Sequence, residues 1–331
     1  MKFNLREISQ QEELLAPGHR LCSGCIEPVI VRQVLQVAGP NTVVANATSC
    51  LEVSSTAYPY TAWRVPWIHS LFENTAATIS GVEAAYKALS RRGRLNGDGP
   101  INFIAFGGDG GTYDIGLQAL SGAIERGHRF LYVCLNNEAY MNTGIQRSSA
   151  SPFGAWTTTS PVGSVVTGKQ QARKDLTRII AAHGTPYVAQ ASPHLWKDLM
   201  RKTERALQID GPAFINVLAP CPRGWRSPDE LGIQLGKLAA ETCVWPIYEV
   251  DHGQWTLNHI PRQRKPITEW LKVQGRFGHL LRPENRRVLE QYQAEVDTTW
   301  DALLAACGKS GPAAGKDGRA QQEPEESGPE G

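Results

Sequence analysis

Between Thr42 and Leu218 the sequence alternates between two patterns, and this alternation limits the possible folds more than any other feature of the chain. Five short runs, Thr42–Asn46, Ile101–Phe106, Phe130–Leu135, Tyr187–Gln190 and Ala213–Leu218, are continuously apolar or β-branched and bounded by Gly, Pro, Asn or Asp. Such runs read as strands buried on both faces. Between them, Pro28–Val37, Glu73–Ser90, Asp114–Glu125, Ala172–Ala182 and His194–Gln208 have helical periodicity. Strand and helix in turn predict an α/β fold, a doubly wound, mostly parallel sheet covered on both faces.

A doubly wound sheet gathers ligands beyond the carboxyl ends of its strands. Four of the five strand ends carry candidate ligands: Ala47-Thr48-Ser49-Cys50, Gly107-Gly108-Asp109-Gly110-Gly111, the run Asn136 to Gly144, and Ala219-Pro220-Cys221-Pro222. In the second loop Asp109 is the only side chain among glycines. Glycines let backbone N–H groups approach a phosphate, and the helix expected near Asp114 would add its positive end. Asp109 would repel a phosphate unless a cation lay between them. A carboxylate, an amide oxygen such as that of Asn137 and two phosphate oxygens form the hard shell that suits Mg²⁺. The two loops together therefore read as a Mg²⁺–diphosphate site. The alternative for the Gly107–Gly111 loop alone is a glycine-rich turn with a capping Asp, and the loop is not a GxGxxG fingerprint.

Seven cysteines in a chain whose first residues, Met1 to Glu7, show no apolar export signal are expected to be reduced and cytoplasmic. Cys22 and Cys25 form a CxxC pair, with Cys50 and Cys221 further along, so four thiolates are available. Zinc, an iron–sulfur cluster and a dithiol pair are all open to a CxxC motif. No apolar strand leads into Cys22, which disfavours the dithiol. Cys134 lies inside a strand and reads as a buried hydrophobe; Cys243 and Cys307 are assigned nothing. Lys+Arg 34 against Asp+Glu 32 leaves a net charge of +2, without the basic excess of a nucleic-acid binder. No window approaches the ~18 apolar residues of a membrane span.

CSGC, NATSC, the segment from Trp67 to Ala85, GGDGG, NNEAYMNTG and APCPRGW follow one another in order. Together they resemble the β subunit of the 2-oxoacid:ferredoxin oxidoreductases, most closely the enzymes acting on pyruvate, from about Gly18 through Trp225. The resemblance implies the thiamine-diphosphate-binding fold, with Mg²⁺ held by Asp109, the Asn137 side chain and the Ala139 carbonyl. It implies a 4Fe–4S cluster on Cys22, Cys25, Cys50 and Cys221. Cofactor contacts would come from Glu27, Cys50, Gly108, Asp109, Gly110, Gly111, Asn137, Glu138, Ala139, Tyr140, Met141 and Asn142, and Asn142 would also face the substrate as a catalytic residue. The implied reaction is oxidative decarboxylation of a 2-oxoacid with coenzyme A to acyl-CoA and CO₂, electrons passing through the cluster to ferredoxin. An α subunit would complete the thiamine site and supply the glutamate that activates the aminopyrimidine ring; γ and ferredoxin-like δ subunits are expected partners. Other 2-oxoacids, among them 2-oxoisovalerate, 2-oxoglutarate, aryl 2-oxoacids and oxalate, remain alternatives. So do a non-redox thiamine enzyme with structural zinc and a purely electron-carrying subunit.

This reading divides the chain into a cofactor and cluster domain over 1–225, a C-terminal extension over 226–307 and a disordered tail over 308–331. The tail has nine Gly/Pro in 24 residues, too little apolar surface to offset ordering entropy. Trp225, Trp245, Trp255, Trp270 and Trp300 point to an extension that wraps the core or a partner subunit, with packing on the chain's own core equally open. Between Arg262 and Arg287 eight Lys/Arg face two acidic residues, either a docking surface for an acidic partner or a solvated run. His19, Arg147 and Lys169 read as structural or solvated before functional, and Thr48 and Ser49 as a helix cap, a cofactor contact, or both.

Overall fold

A computed structural model describes residues 3–95 and 99–309. Eight strands make one sheet: β1 (Thr42–Ala47), β2 (Trp67–Ser70), β3 (Asn102–Gly108), β4 (Phe130–Asn136), β5 (Tyr187–Ala191), β6 (Pro212–Leu218), β7 (Tyr248–Asp251) and β8 (Gln254–Leu257). Their spatial order is β2-β1-β3-β4-β6-β5-β7-β8. The first six run parallel, while β7 and β8 are antiparallel. β4, β5 and β6 are buried at every position, as expected of central parallel strands with both faces covered.

The alternation of side chains along the strands divides the core in two. On one face Ile30, Val31, Val34 and Leu35 of the helix Glu27–Ala38, with Leu199 and Ala206 of Trp196–Gln208, pack on Val44, Ile104, Val133 and Ile215. On the other, helices Thr75–Arg91, Leu117–Glu125 and Leu176–Ala182 join the C-terminal segment over Ala45, Ala105, Tyr132 and Phe214. From β1 the chain steps outward to β2, then crosses back to β3. The boundary between β1 and β3 is therefore a topological switch point, where the loops leaving the two strands diverge and open a crevice.

The five expected strands form, each within two residues of the sequence reading. Three more were not expected. β2 is an edge strand of four residues whose middle pair faces solvent, so it lacks the continuous apolar run of its neighbours. β7 and β8 alternate and are joined by His252-Gly253, both at positive φ (48° and 81°), the two-residue hairpin geometry that matches strand twist. The expected helix Asp114–Glu125 differs as well. Helical geometry begins at Asp109, passes through a π-helical turn over Gly111–Ile115 and continues as Leu117–Glu125. The helix expected over Ala172–Ala182 starts only at Leu176, where the Asp175 side chain accepts from the Arg178 N–H at 3.1 Å.

The tryptophans pack mainly into the chain's own core. Trp225, Trp245, Trp270 and Trp300 are buried, and Trp225 meets Trp270 edge-on with ring centroids 5.6 Å apart. Residues 226–307 thus extend the sheet by two strands and fill one of its faces. Of the proposed tail, residues 310–331 lie outside the described residues. Among the described residues no helix is long and apolar enough to cross a membrane. Trp270→Ala is expected to cost about 3–5 kcal/mol, read as a lowered urea midpoint; an unchanged midpoint would contradict the core role of this segment.

Candidate active site

The loops that leave β1, β3 and β4 line one cleft at the switch point. Its walls are Thr48, Ser49 and Cys50 after β1; Gly108, Gly110 and Gly111 after β3; Asn137 and Ala139 to Thr143 after β4; and Phe72 after β2. The cleft holds about 300 Å³ of empty space, part of it open to solvent. Thr48 and Ser49 have local partners: the Ser49 hydroxyl caps the helix Cys50–Ser55 by accepting from the Glu52 N–H, and Thr48 Oγ1 lies 2.8 Å from His69 Nε2.

The glycines serve two purposes. A Cβ on Gly110 would come 2.4 Å from the Tyr140 ring, and one on Gly111 2.6 Å from the Phe72 carbonyl, so protein packing requires both. At Gly108 a Cβ would meet only Ser49 Cβ at 3.6 Å, leaving that wall open to a ligand. The backbone turns helical at Asp109, so the amides that follow form a helix N-terminus on the cleft, the arrangement that receives phosphate. Tyr140 fixes the turn by donating from its hydroxyl to the Gly110 carbonyl at 2.8 Å.

Asp109 lies beneath the cleft, fully buried. Its Oδ1 accepts from the Asn137 N–H at 3.2 Å and its Oδ2 from the Ser148 hydroxyl at 2.5 Å. Asn137 in turn donates through Nδ2 to Glu27 Oε1 at 2.9 Å. This leaves Asn137 Oδ1 and Glu27 Oε2 buried without a hydrogen-bond partner. Burial pushes Glu27 up to about 7 and Asp109 up to about 8, in each case against hydrogen bonds that favour the charged form. A buried carboxylate beside an unpartnered amide oxygen fits an oxygen-binding cation such as Mg²⁺.

Glu138 is brought to the same loop, but its carboxylate turns inward. It is fully buried, at φ 69°, and is bound by the guanidinium groups of Arg173 and Arg276. Ala139 is buried, Met141 half-buried and Asn142 exposed at the cleft wall.

Cys22, Cys25, Cys50 and Cys221 come into one electrostatic neighbourhood with Glu27. Burial raises the thiols of Cys25, Cys50 and Cys221, the last to about 11, and Glu27 and Cys22 push each further up. Cys22 is exposed and the other three partly so. Cys50 belongs to both sets, since it also lines the cleft. Among the described residues no group of three or more His, Cys, Asp or Glu is placed to hold a metal ion. The donor set itself, four free thiols, suits a cluster in which each thiolate binds a different iron. The CxxC loop is seated on the segment after Trp225. A Cβ on Gly24, at φ 72°, would fall 2.1 Å from the Asp229 carbonyl, and one on Gly232 2.5 Å from Ile26 Cδ1. The loop of Cys221 touches the cleft loop, because Gly224 leaves room for Met141.

Several candidates have other roles. Lys169 is buried and donates to the carbonyls of Ser151 and Ala172. His19 lies in a separate cleft with Arg20, Ser54 and Tyr60, its ring pKa lowered by burial. In the basic run, Arg264, Lys265, Lys272, Arg276 and Arg286 pair with Asp297, Glu241, Glu269, Glu138 and Glu290, so most of its charge is neutralised within the chain. Sequence reasoning missed Ser148, Arg173 and Arg276, which stand outside the motifs, and the role of the Trp225 indole, which closes the APCPRGW motif.

Residues 46–217, just over half of the chain, match the family "Thiamine pyrophosphate enzyme, C-terminal TPP binding domain". The chain is 55% identical to "Pyruvate synthase subunit PorB" of Methanocaldococcus jannaschii over 84% of its own length and 93% of that protein's. It is 42% identical to "Ketoisovalerate oxidoreductase subunit VorB" of Pyrococcus abyssi, covering 88% and 93%. Its fold resembles a chain of the 2-oxoglutarate:ferredoxin oxidoreductase from Magnetococcus marinus, solved with 2-oxoglutarate, coenzyme A and succinyl-CoA bound. The TM-score is 0.50 at 20% identity, over 65% of this chain and 76% of that one.

The raised carboxyls of Glu27 and Asp109 give a pH prediction. The folded chain holds these protons to about pH 7 and 8, while the unfolded chain releases them near 4. Folding of the metal-free chain therefore loses stability as pH rises between these limits. Its thermal midpoint should fall between pH 5 and 8, Asp109→Asn should reduce that fall, and Mg²⁺ with thiamine diphosphate should reverse it. A midpoint that rises over this range in the metal-free chain would contradict the assignment.

Proposed function

Since this chain belongs to the thiamine pyrophosphate enzymes represented by pyruvate synthase subunit PorB, and is a β subunit of a 2-oxoacid:ferredoxin oxidoreductase, we propose that it carries both the thiamine diphosphate site and the first electron acceptor of that enzyme. The reaction is the oxidative decarboxylation of pyruvate with coenzyme A to acetyl-CoA and CO₂, with electrons delivered to ferredoxin. The observation that carries this reading is the double membership of Cys50, in the cofactor cleft and in the four-thiol group.

Asp109, the Asn137 side chain and the Ala139 carbonyl would hold Mg²⁺, and the amides after Asp109, with Gly108 clear of side chains, would receive the diphosphate. Thiamine diphosphate supplies the nucleophilic carbon and the electron sink that decarboxylation of a 2-oxoacid needs. Cys22, Cys25, Cys50 and Cys221 would hold a 4Fe–4S cluster, and Cys50 keeps that electron acceptor beside the cofactor cleft. Glu27 is held by Asn137 between the two groups. Asn142, exposed on the open side of the cleft, is the side chain we assign to the substrate. An α subunit would close this side and supply the glutamate that activates the aminopyrimidine ring; γ and ferredoxin-like δ subunits and ferredoxin complete the expected assembly, with residues 1–225 as its cofactor and cluster unit.

Two substitutions separate the halves of the site. Asp109→Ala should abolish Mg²⁺–thiamine diphosphate binding and leave the brown colour of the cluster. Cys50→Ser should bleach the cluster and stop ferredoxin reduction; full ferredoxin reduction by Cys50→Ser would refute the cluster assignment. The likeness to a ketoisovalerate oxidoreductase subunit supports a second reading, a branched-chain 2-oxoacid. CoA-dependent ferredoxin reduction by the assembled enzyme, measured with pyruvate and with 2-oxoisovalerate, decides between them. The larger kcat/KM is expected for pyruvate.

A further inference from the structure

Asn137 and Glu138 are tied down by residues that lie far away in sequence. The Trp225 indole N–H donates to the Asn137 carbonyl at 2.8 Å, and the Ser151 hydroxyl to the Glu138 carbonyl at 2.6 Å. The Glu138 carboxylate is divided between Arg173 and Arg276. Arg276 lies over the Trp225 ring at 4.0 Å and is oriented by Gln274 Oε1, 3.0 Å from its Nε. Gln274 in turn donates to the Trp270 carbonyl at 2.7 Å. Glu138, Arg276 and Trp225 are all fully buried or nearly so.

This network has a mechanical consequence. Glu138 sits at φ 69°, a left-handed conformation that a side-chain-bearing residue keeps only when its surroundings impose it. That turn lies between Asn137 and Ala139, the two loop residues that our reading assigns to the cation. A planar guanidinium stacked on an aromatic ring and forked onto a carboxylate fixes direction as well as distance.

We propose that Trp225 and Arg276 are positioning residues for the cation-binding loop: the indole holds the Asn137 carbonyl, the guanidinium holds Glu138 in its left-handed turn, and together they aim the Asn137 side-chain oxygen and the Ala139 carbonyl at the same point. This rests on the reading of that loop as the Mg²⁺ site. It also gives residues 225–277 a part in cofactor binding although they line none of the cleft. Their substitution should alter cation affinity without removing any ligand.

The test uses the full chain in its complex, Mn²⁺ as a paramagnetic substitute for Mg²⁺, saturating thiamine diphosphate, and electron paramagnetic resonance to count bound metal at a temperature where every variant is folded. Trp225→Phe keeps the aromatic surface and removes only the N–H, so Mn²⁺ affinity should weaken about threefold to tenfold, the effect of one net hydrogen bond. Arg276→Met should weaken it further, and Arg276→Lys should recover part of the loss. Variants that lower only the unfolding midpoint and bind Mn²⁺ like the wild type would overturn the proposal and leave these residues purely structural. Asp109→Asn is the control. Wild-type Mn²⁺ binding by that variant would overturn the cation-site reading itself, and this inference with it.

Discussion

Parallel strands all end at the same edge of their sheet, and the arrangement of this chain follows from that constraint. Six parallel strands bring their following loops to one side. The reversal of strand order between β1 and β3 then parts two of those loops and leaves a crevice. Thr48 to Cys50, Gly108 to Gly111 and Asn137 to Thr143 meet there because of topology. The thiol group lies alongside for the same reason: Cys50 follows β1 and Cys221 follows β6. Only the CxxC pair comes from outside the sheet, just before the helix Glu27–Ala38, and it is seated against residues 229–232.

Burial makes this crevice electrostatically demanding. Glu27 and Asp109 are buried carboxyls pushed toward neutrality, and three of the four thiols are pushed in the same direction. Among the described residues no basic side chain is paired with either carboxylate, whereas nearby Glu138 has two guanidiniums. This contrast separates the structural carboxylate from Asp109, the carboxylate that a bound cation would satisfy. A bound cation would favour deprotonation of its ligands and reverse these shifts. In our account the site gives up stability in its metal-free form so that it is organised for charged groups.

Much of this was legible in the sequence, because glycine, a lone carboxylate and paired cysteines after apolar runs are chemically distinctive. The five central strands and the loops after them could be read from local patterns, and the spacing of the motifs carried the family resemblance. What could not be read depends on long-range contact. Ser148 reaches Asp109 and Arg276 reaches Glu138 across separations of 39 and 138 residues, and neither stands in a motif. The tryptophans were ambiguous for a related reason, since an aromatic ring suits an interface as well as a core; the added hairpin β7–β8 and the packing of Trp225 on Trp270 brought them inside. In β2, exposure of the edge strand erased the apolar run that marks the others.

We propose that one chain places an electron-accepting cluster beside a thiamine diphosphate site. The most direct test is the visible spectrum of this chain isolated anaerobically, with iron and zinc counted on the same sample. The account predicts a brown protein with about four irons per chain, whose broad absorption bleaches on reduction. A colourless protein with about one zinc per chain would contradict it and leave a non-redox thiamine enzyme in its place.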